Sequence, residues 1–174
     1  MRSALLLVDV QRNMLDGDGA VPSAAAVRAV LRGLLTRSRE SGVPVVHVQN
    51  DGGPEDPDQP FTPGWELVFE PHEPEEVIRK GVCDTFAADR GLAERLRAAG
   101  VDTVVVAGMQ SEFCIEETAL GGLREGFSVV LPHDGHATYD ERNRDATAVS
   151  EEVEQRLEQA GVLVQAAARI EFRK

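Results

Sequence analysis

The sequence predicts a three-layer α/β/α fold built on a six-stranded parallel, Rossmann-like sheet, and three observations carry that expectation. Short, near-continuous runs of Val, Leu and Ala recur at residues 4–9, 43–48, 102–108 and 127–131. Stretches with helical apolar spacing separate most of them, and Pro, Gly and Ser mark the joins. A strand that does not alternate apolar with polar residues is buried on both faces, which a parallel sheet covered by helices requires.

Taken in order, residues 4–9 form the first strand, and a helix follows over residues 23–40, opened by Pro22-Ser23 and closed by Ser41-Gly42. Residues 43–48 are the second strand. Residues 50–74 are rich in Pro, Gly and Asp yet carry Phe61, Trp65, Leu67 and Phe69. That aromatic content favours packing, so this stretch is read as an ordered loop or partial lid. A short third strand at 76–79 precedes a helix over 86–99. The fourth strand, 102–108, leads into a helix over 112–125, and the fifth is at 127–131. A last helix over 141–160 and a sixth strand at 162–164 complete the alternation. No internal repeat or linker interrupts it, so residues 1–174 are expected to form a single domain.

Composition narrows the functions. Charge is −12, with 30 acidic against 18 basic residues, and no basic face is concentrated anywhere, which argues against nucleic-acid binding. The run after Met1 and Arg2 is too short for a signal-peptide core, and no segment approaches a membrane span, so a cytoplasmic protein is expected. Two cysteines, Cys83 and Cys114, suggest neither a disulfide framework nor a zinc site. Free thiols are expected.

In open parallel sheets, ligands sit beyond the carboxyl ends of the strands. Asp9, Lys80 and Cys114 fall at or just past the ends of strands one, three and four. A doubly wound order 3-2-1-4-5-6 would bring them to one crevice. Cys114 lies where strand four turns into a helix, and a thiol there gains from the unpaired amides and positive dipole end. Those amides can also receive an oxyanion. Asp9 is placed to take the thiol proton and return it to a leaving group. Lys80 either holds Asp9 ionised or favours the thiolate. Each residue has a plainer reading alone, as core cysteine, turn aspartate and solvated lysine; only the constellation points to catalysis.

At these residues the chain resembles the isochorismatase-like cysteine hydrolases. Leu6-Leu7-Val8-Asp9-Val10-Gln11 is similar to that family's opening strand with its catalytic Asp. Val77-Ile78-Arg79-Lys80 with Thr85-Phe86 resembles the segment carrying the catalytic Lys, and residues 105–119 resemble the nucleophile segment. Residues 126–135 are similar to the strand that follows it. The resemblance implies an isochorismatase-like hydrolase fold with an Asp9–Lys80–Cys114 triad. It also implies a cis peptide between Met109 and Gln110 that aims the Gln110 N–H, with that of Cys114, into an oxyanion hole. The implied chemistry is attack on an amide-type carbon, a thioester-type intermediate and hydrolysis by water; vinyl-ether or lactam hydrolysis is the alternative on the same scaffold. Family precedent also implies a dimer or tetramer acting on a small molecule.

Further substrate contacts are expected from Gln11 and Gln49 at strand ends, from Trp65 and Phe86 as pocket walls, and from Phe113 beside the nucleophile; core packing is the competing reading for Phe86. Cys83 is expected to be a spectator. The relatives that bind a metal do so through an Asp/His cluster after strand two. Here His47-Val48-Gln49-Asn50-Asp51-Gly52 offers one histidine, so no metal and no cofactor are expected, and His47 is read as packed or substrate-facing. A dinucleotide-binding oxidoreductase is discounted because Gln11-Arg12-Asn13-Met14 contains no glycine-rich turn. A thiol redox protein would want a nearer second cysteine, and a non-catalytic binding protein would want a broken triad.

Overall fold

A computed structural model of the protein describes residues 2–174, and in it every strand pair of the main sheet is parallel. The strands are β1 (Ser3–Val8), β2 (Val45–Asn50), β3 (Glu76–Lys80), β4 (Thr103–Met109), β5 (Ser128–Pro132), the two-residue β6 (His136–Ala137) and β7 (Leu163–Gln165). Their spatial order is β3-β2-β1-β4-β5-β7, with β6 added beside the end of β4. The expected order of six strands is therefore present, and β6 is an addition.

Strand interiors are apolar on both faces because both faces are covered. All of β1 and β4 are buried. Leu6, Val8, Val46, Val48, Val104 and Val106 point into one core. It is closed by α3 (Thr85–Ala88), α4 (Leu92–Ala98), α5 (Glu116–Arg124) and α6 (Ala146–Ala160). Leu5, Leu7, Val45, Val105 and Ala107 point the other way. They meet α1 (Arg12–Leu15), α2 (Ala24–Ser41) and the C-terminal residues Ala167 and Ile170. On α2 the buried stripe is Val27, Leu31, Leu34 and Leu35, at helical spacing, each contributing about 1.5–3 kcal/mol relative to exposure. Gly42 ends that helix in the left-handed conformation, its N–H returning to the carbonyls of Arg39 and Ser38.

Four local differences from the sequence reading have physical causes. The helix expected over 86–99 breaks where the Asp89 side chain accepts the Gly91 N–H, leaving α3 and α4. The last helix starts five residues later than expected because Asp145, not residue 141, caps it, accepting the Ala148 N–H at 2.8 Å. The helix after β4 opens with a π turn, Ser111–Ile115, before α5. The short α1 was absent from the expectation. Among the described residues no helix is long and apolar enough to cross a membrane.

Candidate active site

The carboxyl ends of β1, β3 and β4 bring Asp9, Lys80 and Cys114 together. Lys80 is the last residue of β3, in register with Asn50 of β2. Asp9 leaves β1 with φ of 51°, held by its own N–H on the Val48 carbonyl, while its carbonyl accepts the Gln11 N–H. A non-glycine residue in that region carries strain and marks a place where geometry has been fixed by its surroundings. Cys114 lies within the π turn, where the N–H groups of Phe113 and Ile115 both return to the Gln110 carbonyl, at 3.2 and 3.1 Å. Gly108 permits the close approach of β4 to β1: a Cβ there would sit 1.9 Å from the Val8 carbonyl oxygen.

Lys80 is the hub. Its Nζ donates to Asp9 Oδ2 at 2.9 Å, to Cys114 Sγ at 3.2 Å and to Asn50 Oδ1 at 3.4 Å, using all three ammonium protons. Burial works against the Lys80 charge, but Asp9 and Cys114 outweigh it and raise its pKa, so the ammonium is kept. Burial raises the Asp9 carboxyl above its usual range, and Lys80 only partly offsets that. Cys114 is pushed well above the ordinary thiol range, first by burial and then by the Asp9 charge, with Lys80 opposing both. Burial and Asp9 thus act against the thiolate that a helix start favours, while Lys80 acts for it. Asp9 Oδ1 is buried and has no hydrogen-bond partner among the described residues, which leaves it open as a proton acceptor.

The peptide between Met109 and Gln110 is cis. The other anticipated contacts divide. Gln11 is fully buried, and its amide is spent on the loop: Nε2 donates to the carbonyls of Asn50 and Trp65, and Oε1 accepts the Asn50 N–H at 2.8 Å. Gln49 Nε2 also donates to the Trp65 carbonyl, at 2.8 Å. These two glutamines pin residues 50–65 to the sheet, so the long loop is ordered by amides at the strand ends. Trp65 donates to Asp51 and lies under the Arg79 guanidinium, 4.9 Å from the ring centre. Phe86 is core, stacked on Phe127 with ring centres 5.8 Å apart, in the cluster against which Cys114 packs. Phe113 is 51% exposed beside the nucleophile.

His47 is buried and paired with Glu75 at 2.9 Å, on the α2 side of the sheet. Burial lowers its pKa more than Glu75 raises it, so it is packed as a neutral ring. Among the described residues no group of three or more His, Cys, Asp or Glu side chains is arranged to hold a metal ion. A cavity of about 640 Å³ opens at the amino ends of β1, β2 and β3, away from the triad.

Two clusters beside the nucleophile escaped the sequence reading. Ser111 Oγ, at the start of the π turn, meets His136 Nδ1 at 2.8 Å and Ser150 Oγ at 3.0 Å. His136 Nε2 lies 3.2 Å from a Glu154 carboxylate oxygen on α6. Glu112 accepts a hydrogen bond from Thr138 at 2.8 Å. Of the partners, His136 and Thr138 sit in or beside a strand too short to show any period, and Ser150 and Glu154 sit on α6, 39 or more residues from the turn.

Fold and site together define a three-layer α/β protein in which buried Asp9 and Lys80 meet the partly exposed Cys114 at the carboxyl edge of its sheet. The Isochorismatase domain model matches residues 3–165, and the chain belongs to that family. It is 53% identical over 139 residues to a streptothricin hydrolase of Streptomyces noursei, an overlap of 79% of this chain and 50% of that protein. A second streptothricin hydrolase of the same organism overlaps over 55% of its length, so the chain spans about half the length of these relatives. Among solved structures, a hydrolase of the isochorismatase family from Chromobacterium violaceum is 30% identical with a TM-score of 0.84, covering 96% of this chain and 90% of that one. The N-carbamoylsarcosine amidase of Thermoplasma acidophilum is 26% identical with a TM-score of 0.82, covering 98% and 99%.

Proposed function

We propose that the protein, acting as a single domain, hydrolyses a C–N bond of a small amide-type substrate through a covalent intermediate on Cys114. The observation that carries this reading is the position of Lys80 Nζ, 2.9 Å from Asp9 and 3.2 Å from Cys114, which ties base and nucleophile to one cation. The amide hydrolases among its relatives support the bond type.

Asp9 takes the thiol proton as Cys114 Sγ attacks the substrate carbonyl carbon. Lys80 stabilises the sulfur as its charge develops and remains an ammonium throughout. The carbonyl oxygen becomes an oxyanion held by the backbone N–H groups of Gln110 and Cys114. Asp9 then gives its proton to the departing nitrogen, the C–N bond breaks and a thioester remains. Water attacks that thioester, giving one proton to Asp9; the C–S bond breaks, the sulfur recovers the proton and the acid departs. The scheme needs no cofactor.

The test is a panel of primary amides, carbamoyl compounds and lactams, with streptothricin included because of the 53% identical relative. Wild type should turn over at least one member, and Cys114→Ala should abolish that turnover while keeping the fold. Equal rates in the two proteins would remove Cys114 from the chemistry.

A further inference from the structure

Helix α6 holds the turn that carries the nucleophile at both of its ends. The turn Ser111–Ile115 closes where the Glu116 N–H returns to the Ser111 carbonyl, so Cys114 lies inside the loop those two residues bracket. At the first end Ser111 is fully buried, and its hydroxyl meets Ser150 Oγ of α6 at 3.0 Å and His136 Nδ1 at 2.8 Å. At the second, the Glu116 carboxylate accepts two hydrogen bonds from Arg156 of α6, at 2.7 and 2.8 Å. Ser150 and Glu154 stand four residues apart on one face of that helix, and Val153 and Leu157 seat it in the core.

The two ends differ in weight. Arg156 is half exposed, and an ion pair in contact with water contributes little. The Ser111 end is dry. His136 is buried, and its Nε2 lies 3.2 Å from Glu154, at ion-pair distance but off hydrogen-bond alignment, with no other partner among the described residues. A carboxylate can only accept, so Glu154 draws a ring proton to Nε2 and commits Nδ1 to Ser111. The His136 backbone is at the same time paired with Gly108 of β4. Glu154 thus fixes the ring and the ring fixes Ser111. Ser111 is bonded to Gln110, whose carbonyl accepts the N–H groups of Phe113 and Ile115. Gln110 is held from both sides, by β4 before it and by Ser111 after it. A backbone N–H stabilises an oxyanion well only when its direction is set before the charge forms.

We propose that Ser111, His136 and Glu154, with Ser150, are positioning residues that aim the Gln110 and Cys114 N–H groups at the oxyanion. All four act through the backbone of the turn, and α6 is the element that sets it. The proposal rests on the reading of Cys114 as the hydrolytic nucleophile, since it assigns the support of that site.

The test separates attack that creates an oxyanion from attack that does not. p-Nitrophenyl acetate acylates a thiol through a tetrahedral oxyanion, whereas iodoacetamide alkylates it by loss of iodide from a methylene carbon and forms none. Initial rates of each at Cys114, read by acid quenching and peptide mass, give an acylation-to-alkylation ratio in which thiol ionisation cancels. The wild-type ratio should exceed that of free N-acetylcysteine by about tenfold or more. Ser111→Ala and Glu154→Leu should lower it by about tenfold or more, and Glu154→Gln, which keeps an oxygen facing His136, should stay within about threefold of wild type. A wild-type ratio equal to that of the free thiol overturns the proposal. So does a wild-type ratio retained in Ser111→Ala, including a parallel fall of both rates, which marks a turn loosened rather than re-aimed. Ser111→Ala removes a single oxygen and decides the matter where Glu154→Leu fails to fold. With an amide that wild type hydrolyses, kcat should fall with the ratio while KM stays within about threefold. If no amide is hydrolysed, the hydrolase reading fails, and the ratio alone decides whether α6 aims these donors.

Discussion

Replacing Lys80 by methionine keeps the reach of the side chain and removes the charge that Asp9 and Cys114 share. At 3.2 Å and an effective dielectric of about 20, the ammonium stabilises a thiolate by about 5 kcal/mol. The thiol is partly exposed, and doubling the dielectric halves that figure to about 2.5 kcal/mol. At about 1.4 kcal/mol per factor of ten, Lys80→Met should lower kcat/KM by about 10²- to 10⁴-fold. The same change strands the Asp9 carboxylate, whose pKa burial already raises, and costs about 3–5 kcal/mol of stability unless Asp9 takes up a proton. The double variant Asp9→Asn/Lys80→Met separates the effects: it should recover most of the lost stability and none of the activity. Ammonia release from the best amide measures activity, and thermal unfolding followed by circular dichroism measures stability. A folded Lys80→Met protein within about threefold of wild type would refute the assignment of Lys80 to the reacting sulfur.

Three further outcomes follow from the same contacts. Asp9→Asn removes a charge that raises the Cys114 pKa, so iodoacetamide should alkylate Cys114 at least as fast as in wild type, while turnover falls by about 10²- to 10⁴-fold; parallel loss of both would contradict the base role. His136→Ala frees Ser111 at the head of the nucleophile turn and should lower kcat with little change in KM, together with about 1–3 kcal/mol of stability, whereas an unchanged kcat would make the cluster purely structural. Burial raises the Glu75 carboxyl, but hydrogen bonds from Arg39, the His72 N–H and His47 outweigh it and bring its pKa down from 4.5 to about 2. A depressed folded pKa contributes stability above the unfolded value that is lost as pH falls through the folded one, so on the order of 3 kcal/mol should disappear between about pH 5 and pH 2. Urea unfolding of Glu75→Gln over the same range should show a flatter dependence, and identical slopes would rule the contribution out.

How much of this was legible depends on what the local pattern encodes. Runs such as Leu5-Leu6-Leu7-Val8 and Val104-Val105-Val106-Ala107 announce doubly covered strands, so sheet, layers and the strand ends carrying Asp9, Lys80 and Cys114 could be read with shifts of one or two residues. The two-residue β6 has no period to read, and with it His136 and Thr138 were invisible as partners of the nucleophile turn. Gln11 beside the candidate base invited reading as a substrate contact. Its amide instead holds backbone groups 39 and 54 residues away, a pairing no spacing announces. The groups that act against a Cys114 thiolate were hidden for a related reason. A helix start is visible in sequence, whereas burial and the nearby Asp9 charge arise only when the chain is folded.

The central claim is that Cys114 carries the acyl group between two chemical steps. Rapid mixing of wild type with an amide it hydrolyses, acid quenching within one turnover and peptide mass mapping test that directly. The account predicts a mass increase equal to the acyl portion of the substrate on the peptide containing Cys114, appearing before free acid and decaying as the acid forms. Product formed within the first turnover with no adduct on Cys114 at any quench time, or an adduct confined to Cys83, would contradict it.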